Sequence, residues 1–443
     1  MGSVRKDFGK YISLSILGML GSSGTILADT FFVSNRLGAN GLAALNIAIS
    51  IFGLINGLGM MLGAGGATRY TILRAQGQEE KANQAFTLSF FTAVVTGIAF
   101  LAAGLFIPHK IAGALGADAS ILPLCTVYLK TVLCFAPFFI LNHLFMTFIR
   151  NDGNPKLSMG IMVAGSLANI ILDYTFMYPL NMGIFGAALA TGLSPVIGLA
   201  TASLHLLTKR NHFHIVPVRM TPSRIAKTAE PGLSAFVNEF SSSIVLVVFN
   251  LLIIKTTGNI GVAAYGIVAN LALVVLAVFT GISQGIQPLF SQAYGKGNQE
   301  EIAYLYRKGR LLASAIGIGV LCAAYTAAPA LVSWFNSEQN PVLQTLAEQG
   351  LKIYFTGFLF VGFNYLTTAL LSATERAGTA FALSFLRGCI GITVVACLLA
   401  ALWGMTGIWV AFPVVELGTM AAGMLCLKPR NSTAIRKNSQ QLL

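Results

Sequence analysis

Two acidic residues, Asp29 and Asp173, lie inside separate hydrophobic stretches of a 443-residue chain whose apolar segments carry almost no other charge. A carboxylate in hydrocarbon costs roughly 3 kcal/mol or more, so it persists only where it faces a cavity, pairs with a cation or holds a proton. Asn169 precedes Asp173 by four residues, which puts the amide and the carboxylate on one helix face. Counted from Lys10 and Lys156 as anchors at one membrane surface, both aspartates sit about 25–29 Å along their helices. Two acids at one depth suit a hard cation, or a proton shared between them. The alternative is that these groups only stitch helices together, a common role for asparagine in membranes. Two acids without a basic partner make a poor staple.

The elements that position these residues follow from composition. Hydrophobic residues make up 55% of the chain and charged residues 10%, with a mean hydropathy of +0.75. Soluble domains carry about 25% charged residues, so the chain is predicted to be an all-α integral membrane protein. The net charge of +13 comes from short basic clusters between apolar stretches and not from one basic face, which argues against a nucleic-acid partner. Six cysteines, all in apolar stretches and without a CxxC pair, read as packing residues and imply no metal frame or cofactor.

Twelve apolar stretches are each long enough to cross a hydrocarbon core of about 30 Å. The longest hydrophilic connection separates them into two groups of six. This predicts an N-terminal lobe over 1–208, a linker over 209–228, a C-terminal lobe over 229–428 and a tail over 429–443. Threading the connections alternately across the bilayer leaves only Arg36, Lys110, Lys130, Lys255 and Lys352 on one side. The excess of Lys and Arg on the other side predicts that both termini and the linker are cytoplasmic.

The halves repeat. A shift of 220 residues aligns Gly38 with Gly258, Gly41 with Gly261, Gly65 with Gly285, Gly77 with Gly297 and Glu80 with Glu300. A shift of 222 pairs Leu129 and Lys130 with Leu351 and Lys352, and Asn142 with Asn364; a shift of 221 pairs Gly183 and Gly186 with Gly404 and Gly407. An even number of spans per repeat gives both lobes one orientation, related by a pseudo-two-fold axis along the membrane normal. Transporters built this way bind substrate between lobes that rock about a central cleft.

Several strings then carry a resemblance. Ala28-Asp-Thr-Phe-Phe-Val33, the Gly63-Ala-Gly-Gly66 run, Asn169 and Asp173 ahead of Gly183-Ile-Phe-Gly186, and the block from Gln287 to Asn298 together resemble the multidrug and toxic compound extrusion family. The resemblance covers nearly the whole chain. It implies multidrug efflux of small organic cations across a bacterial inner membrane by a monomer, in exchange for Na+ or H+ and without a cofactor. It also implies a cation site in the N-terminal lobe formed by Asp29, Asn169, Asp173 and Thr191, with Tyr128 as a hydrogen-bonding neighbour. Family members that bend the first span do so at a proline; here that span holds Gly18, Gly21 and Gly24 instead.

The second half has its own deep acids. Glu239 and Glu416 each fall about 18 Å into their spans. Glu239 matches a glutamate that some family members use for cation coupling or for cationic substrate. A further acid those members carry in the tenth span is absent, where the chain reads Asn364-Tyr-Leu-Thr-Thr-Ala369. Glu239 and Glu416 are therefore expected to recognise positively charged cargo, with Gln284 and Gln287, beside Pro288, as further cleft candidates. His143 reads as a bonded packing residue. A lipid-linked oligosaccharide flippase of the same architecture is the alternative transporter, and should carry basic groups in its cleft. A lipid-modifying membrane enzyme would need a nucleophile or metal-ligand constellation that the sequence does not display.

Overall fold

The structure, a computed structural model, describes residues 2–336 and 339–427; the expected tail over 429–443 lies outside the described residues. The long apolar runs fold as helices because only internally bonded backbone is tolerated in hydrocarbon. In chain order these are α1 (Val4–Gly38), α2 (Ala43–Ala75), α3 (Glu79–Phe106), α4, α5 (Pro155–Met177) and α6 (Gly183–Leu207). Helix α4 is a broken span, Leu122–Cys134 and Ala136–Asn151, bent by 46°. The second half holds α7 (233–257), α8 (259–295), α9 (Gln299–Thr326), α10 (Pro341–Ala373), α11 (377–403) and α12 (405–427).

Three of these boundaries are glycine breaks within otherwise continuous helix. Gly38 has φ 65° and ψ −153°, Gly258 has φ 67° and ψ −156°, and Gly404 has φ 58° and ψ −132°. Such conformations are nearly closed to residues with a Cβ, so the chain reverses there without a loop. Gly38 and Gly258 are the pair aligned by the repeat, and Gly404 pairs with Gly183, whose φ is 59°. The sequence repeat is thus a repeat of backbone geometry.

Caps repeat as well. Gly77 and Gly297, with φ of 76° and 69°, turn the chain into α3 and α9. Both helices open on paired glutamates, which favour the positive end of the helix dipole, and Asn298 accepts from the Glu301 N–H at 3.1 Å.

Two large hydrophobic cores form, beside a small cluster of Leu371, Ala380 and Leu383. One gathers residues from Val33 to Ala202 with Phe213 of the linker; the other runs from Phe249 to Val415 and takes in Tyr11 and Ile12. The start of α1 therefore packs on the second lobe while its end belongs to the first. Gly281 and Gly285 on α8 allow this, since a Cβ at Gly285 would come within 2.8 Å of the Tyr11 carbonyl oxygen. On the same side, a Cβ at Gly65 of α2 would lie 2.6 Å from the Ala229 carbonyl oxygen.

The linker is less of a free connection than its composition predicts. Its second part is the helix Pro222–Ala229. Its first part is strapped to the N-terminal lobe: the His212, His214 and Val216 N–H groups donate to Asp152, Asn83 and Thr87 at 2.9–3.0 Å. Phe213 inserts among Tyr70, Phe86, Phe145 and Phe148. Beside it, the buried Asp152 carboxylate accepts from Tyr70, Arg74, His205 and His212.

Candidate functional site

The N-terminal lobe brings all five expected residues together. Asp29 comes from α1, Tyr128 from α4, Asn169 and Asp173 from α5, and Thr191 from α6. Helices α5 and α6 are stitched by the Ser194 hydroxyl donating to the Gly165 carbonyl oxygen at 2.8 Å. Gly192, one residue after Thr191, lies against the Phe135 ring at the bend of α4, where no side chain would fit. At the outer ends of α1 and α5, Tyr178 donates to Asn35 at 3.1 Å and Arg36 donates to Asn181 at 2.9 Å. These ties hold the Asp29 turn of α1 against the Asp173 turn of α5.

Asp173 is fully buried, Asn169 and Tyr128 nearly so, and Asp29 is partly buried. The hydrogen-bond network assigns one orientation to the Asn169 amide: its nitrogen donates to Asp173 Oδ2 at 3.1 Å and its oxygen accepts from the Thr191 N–H at 3.2 Å. The Thr191 hydroxyl donates to the Ala187 carbonyl oxygen at 3.0 Å. The Tyr128 phenol lies beside Thr191 and within electrostatic reach of both aspartates. Asp29 and Asp173 are electrostatic neighbours.

What remains unsatisfied defines the chemistry. Asp29 Oδ1 and Asp173 Oδ1 are both buried without a hydrogen-bond partner. Among the described residues neither carboxylate has an ion pair with lysine, arginine or histidine. Two neighbouring anions with spare lone pairs in a low-dielectric setting call for positive charge, as a hard cation or a shared proton. The donor set fits either. Asn169 and Thr191 hold their bonds within the protein, so the two carboxylates supply the free oxygens and the neighbours orient them. Pro195 leaves the Thr191 carbonyl oxygen without its usual bond within α6, because proline lacks the N–H.

The second lobe differs from expectation. Glu239 on α7 is partly buried and has no ionic partner among the described residues. Glu416 on α12, expected to be available to cargo, instead faces Arg387 of α11 at 3.7 Å, and Asn364 of α10 donates to its Oε2 at 2.7 Å. A carboxylate neutralised by its own chain is not free to meet a cation. Gln284 accepts from Arg150 of α4 at 2.9 Å and Gln287 donates to Thr68 of α2 at 2.9 Å. Both bridge the two lobes at the linker end. His143 bonds Asn56 at 3.1 Å, in keeping with a packing role.

Sequence reasoning passed over two arginines, Arg150, which is buried, and Arg387, which is partly buried. Arg387 sits in the middle of an apolar stretch, and an ionisable residue at that depth is itself a signal. Arg150 lies at the end of α4 beside a polar turn, where nothing in the sequence separates it from a surface residue.

A bundle of two pseudo-symmetric six-helix lobes, with a buried acid pair in one of them, defines a multi-pass membrane transporter. The MatE family model matches residues 15–175 and 234–398, one block in each lobe, and the chain belongs to that family of membrane transporters. Among curated relatives, the multidrug export protein MepA of Staphylococcus saprophyticus is 26% identical over 420 residues, covering 93% of this chain and 91% of its own. MepA of Staphylococcus aureus is 27% identical over 409 residues, covering 90% and 88%. Among solved structures, a multidrug resistance MATE family transporter of the MOP superfamily in an outward-facing conformation superposes with a TM-score of 0.89 at 22% identity, covering 96% of this chain and 95% of its own. At that identity the likeness speaks for the fold.

Proposed function

We propose that this protein is a secondary active exporter that expels organic cations and related drugs from a bacterial cell in exchange for Na+ or H+. The observation that carries this reading is the pair of partnerless oxygens on Asp29 and Asp173. The ion binds between these carboxylates, while Asn169, Thr191 and Tyr128 orient them. Glu239 offers a negative charge to cationic cargo on the other side of the cleft. The names of the staphylococcal relatives support the export of drugs.

The lobes over 1–208 and 229–428 rock against each other with the linker over 209–228 on the cytoplasmic face, together with both termini. Because the strap residues bond Asp152, Asn83 and Thr87, the first part of the linker travels with the N-terminal lobe. An ion shifts such an equilibrium only through its different affinity for the two states. Bringing two unpaired carboxylates together supplies that difference: repulsion disfavours the site empty and an ion relieves it. Each chain contains both lobes, so a monomer suffices. A flippase that grips pyrophosphate would need a free basic group in the cleft, whereas Arg387 is engaged by Glu416 and Arg150 is bonded to Ser158 and Gln284 at the linker end.

Ethidium efflux from proteoliposomes, with a sodium gradient and a proton gradient imposed separately, tests the reading. Efflux driven by one of them and lost in Asp29→Asn is expected; ion-independent efflux, or full rates in the Asp29→Asn/Asp173→Asn variant, would remove it.

A further inference from the structure

Glu416 is buried, and each of its carboxylate oxygens faces a positively polarised group. Arg387 Nε stands 3.7 Å from Oε1, and the Asn364 amide donates both to Oε2 at 2.7 Å and to the Glu416 carbonyl oxygen at 2.8 Å. The guanidinium is fixed in turn. It lies over the Tyr365 ring at 4.5 Å from the centroid and donates to Asn238 of α7 at 3.2 Å. Side-chain exposure is 12% for Arg387 and 5% for Glu416. The other titratable groups facing this pair are the phenols of Tyr365 and Tyr354, both from α10.

The backbone is built to deliver the arginine. Residues 386–391 form a π-helical turn within α11, and Gly388 lies directly against Ser241, where a Cβ would collide. That contact draws α11 onto α7 and sets Arg387 beside Asn238. A π turn widens the helix by one residue and commonly marks a site whose side chain needs re-aiming.

We propose that Arg387 is a resident counter-cation, a positioning residue that keeps Glu416 ionised, immobile and closed to the exchanging ion. The second lobe then offers no coupling charge through Glu416, and Glu239 is the acid it leaves to cationic cargo. This rests on the coupled-export reading for its consequence, but its chemistry can be tested without transport.

Dicyclohexylcarbodiimide modifies protonated carboxyl groups in apolar surroundings and spares ionised ones. With purified full-length protein at pH 7 and mass spectrometry of the peptide containing Glu416, wild type is expected to stay unmodified there. Arg387→Gln should raise the modification at least tenfold, and Arg387→Lys should restore protection. Ready modification of Glu416 in wild type overturns the proposal, as does its absence in a folded Arg387→Gln variant. If that variant does not fold, the charge-neutral Arg387→Gln/Glu416→Gln pair decides: a reversal potential equal to wild type supports the proposal, and a changed ion-to-cargo ratio overturns it. Failure of the coupled-export reading would show in the ethidium assay and leave the labelling pattern intact.

Discussion

The two lobes share a backbone and differ in what fills it. The successive shifts of 220, 222 and 221 that align the repeat carry Asp29 to Phe249, Tyr128 to Gly350, Asn169 to Ile390, Asp173 to Val394 and Thr191 to Phe412. Every polar member of the N-terminal site meets an apolar or side-chain-free position in the second lobe. The space there is filled instead: Phe249 stacks near Tyr265, Phe412 stacks on Tyr354 at 4.2 Å, and Gly350 makes room for the Trp409 indole. Of the deep acids in the second lobe, Glu416 is paired with Arg387, and Glu239 has no ionic partner among the described residues. One helical frame thus holds an unsatisfied acid pair in one half and an aromatic plug in the other. Exchange with an ion needs the first kind of interior, and a rigid wall for the cleft needs the second.

The comparison breaks most readily at Glu416. Glu416→Gln strands Arg387 and should cost about 3–5 kcal/mol of stability, because a buried charge loses its partner. Asp173→Asn should cost nothing comparable, since no cation depends on it; thermal unfolding in detergent would show the contrast, and equal losses would erase it. Next in size is transport. Asp29→Asn or Asp173→Asn should reduce ion-driven ethidium efflux about 100-fold, equivalent to ~2.7 kcal/mol. Glu239→Gln should weaken cationic cargo more than neutral cargo, and an equal loss for both would give that residue a coupling role instead.

Backbone equivalence is tested by Gly38→Ala and Gly258→Ala. Each should destabilise by about 1–3 kcal/mol, by forcing a Cβ into a region that glycine occupies alone. Unequal effects, read from unfolding midpoints, would show that the breaks are not interchangeable. The smallest effect belongs to the lobe contact. Gln287→Ala removes the bond to Thr68, worth about 1 kcal/mol, and should shift roughly fivefold more molecules toward states open at the linker end. Thiol labelling of a cysteine placed nearby reads that shift.

Much of this was legible in the chain. Long apolar runs announce spans, paired glycines announce the repeat, and isolated acids in hydrocarbon announce a site, because each is too costly to keep without a use. The partner of Glu416 was harder to find: Arg387 and Glu416 are 29 residues apart on separate helices, and no spacing rule joins them. The bridging role of Gln284 and Gln287 was hidden for the same reason, as their partners Arg150 and Thr68 belong to the other lobe.

By itself the sequence determined the membrane setting and the two-fold repeat with its paired glycines, since these depend on local composition and on spacing along the chain; the five candidate residues of the N-terminal lobe came from the family resemblance. Only the tertiary structure decided which acids stay unpaired. Whether a buried carboxylate has a cation beside it depends on how helices far apart in the chain pack, here on Gly388 against Ser241, and that packing separates Asp29 and Asp173 from Glu416.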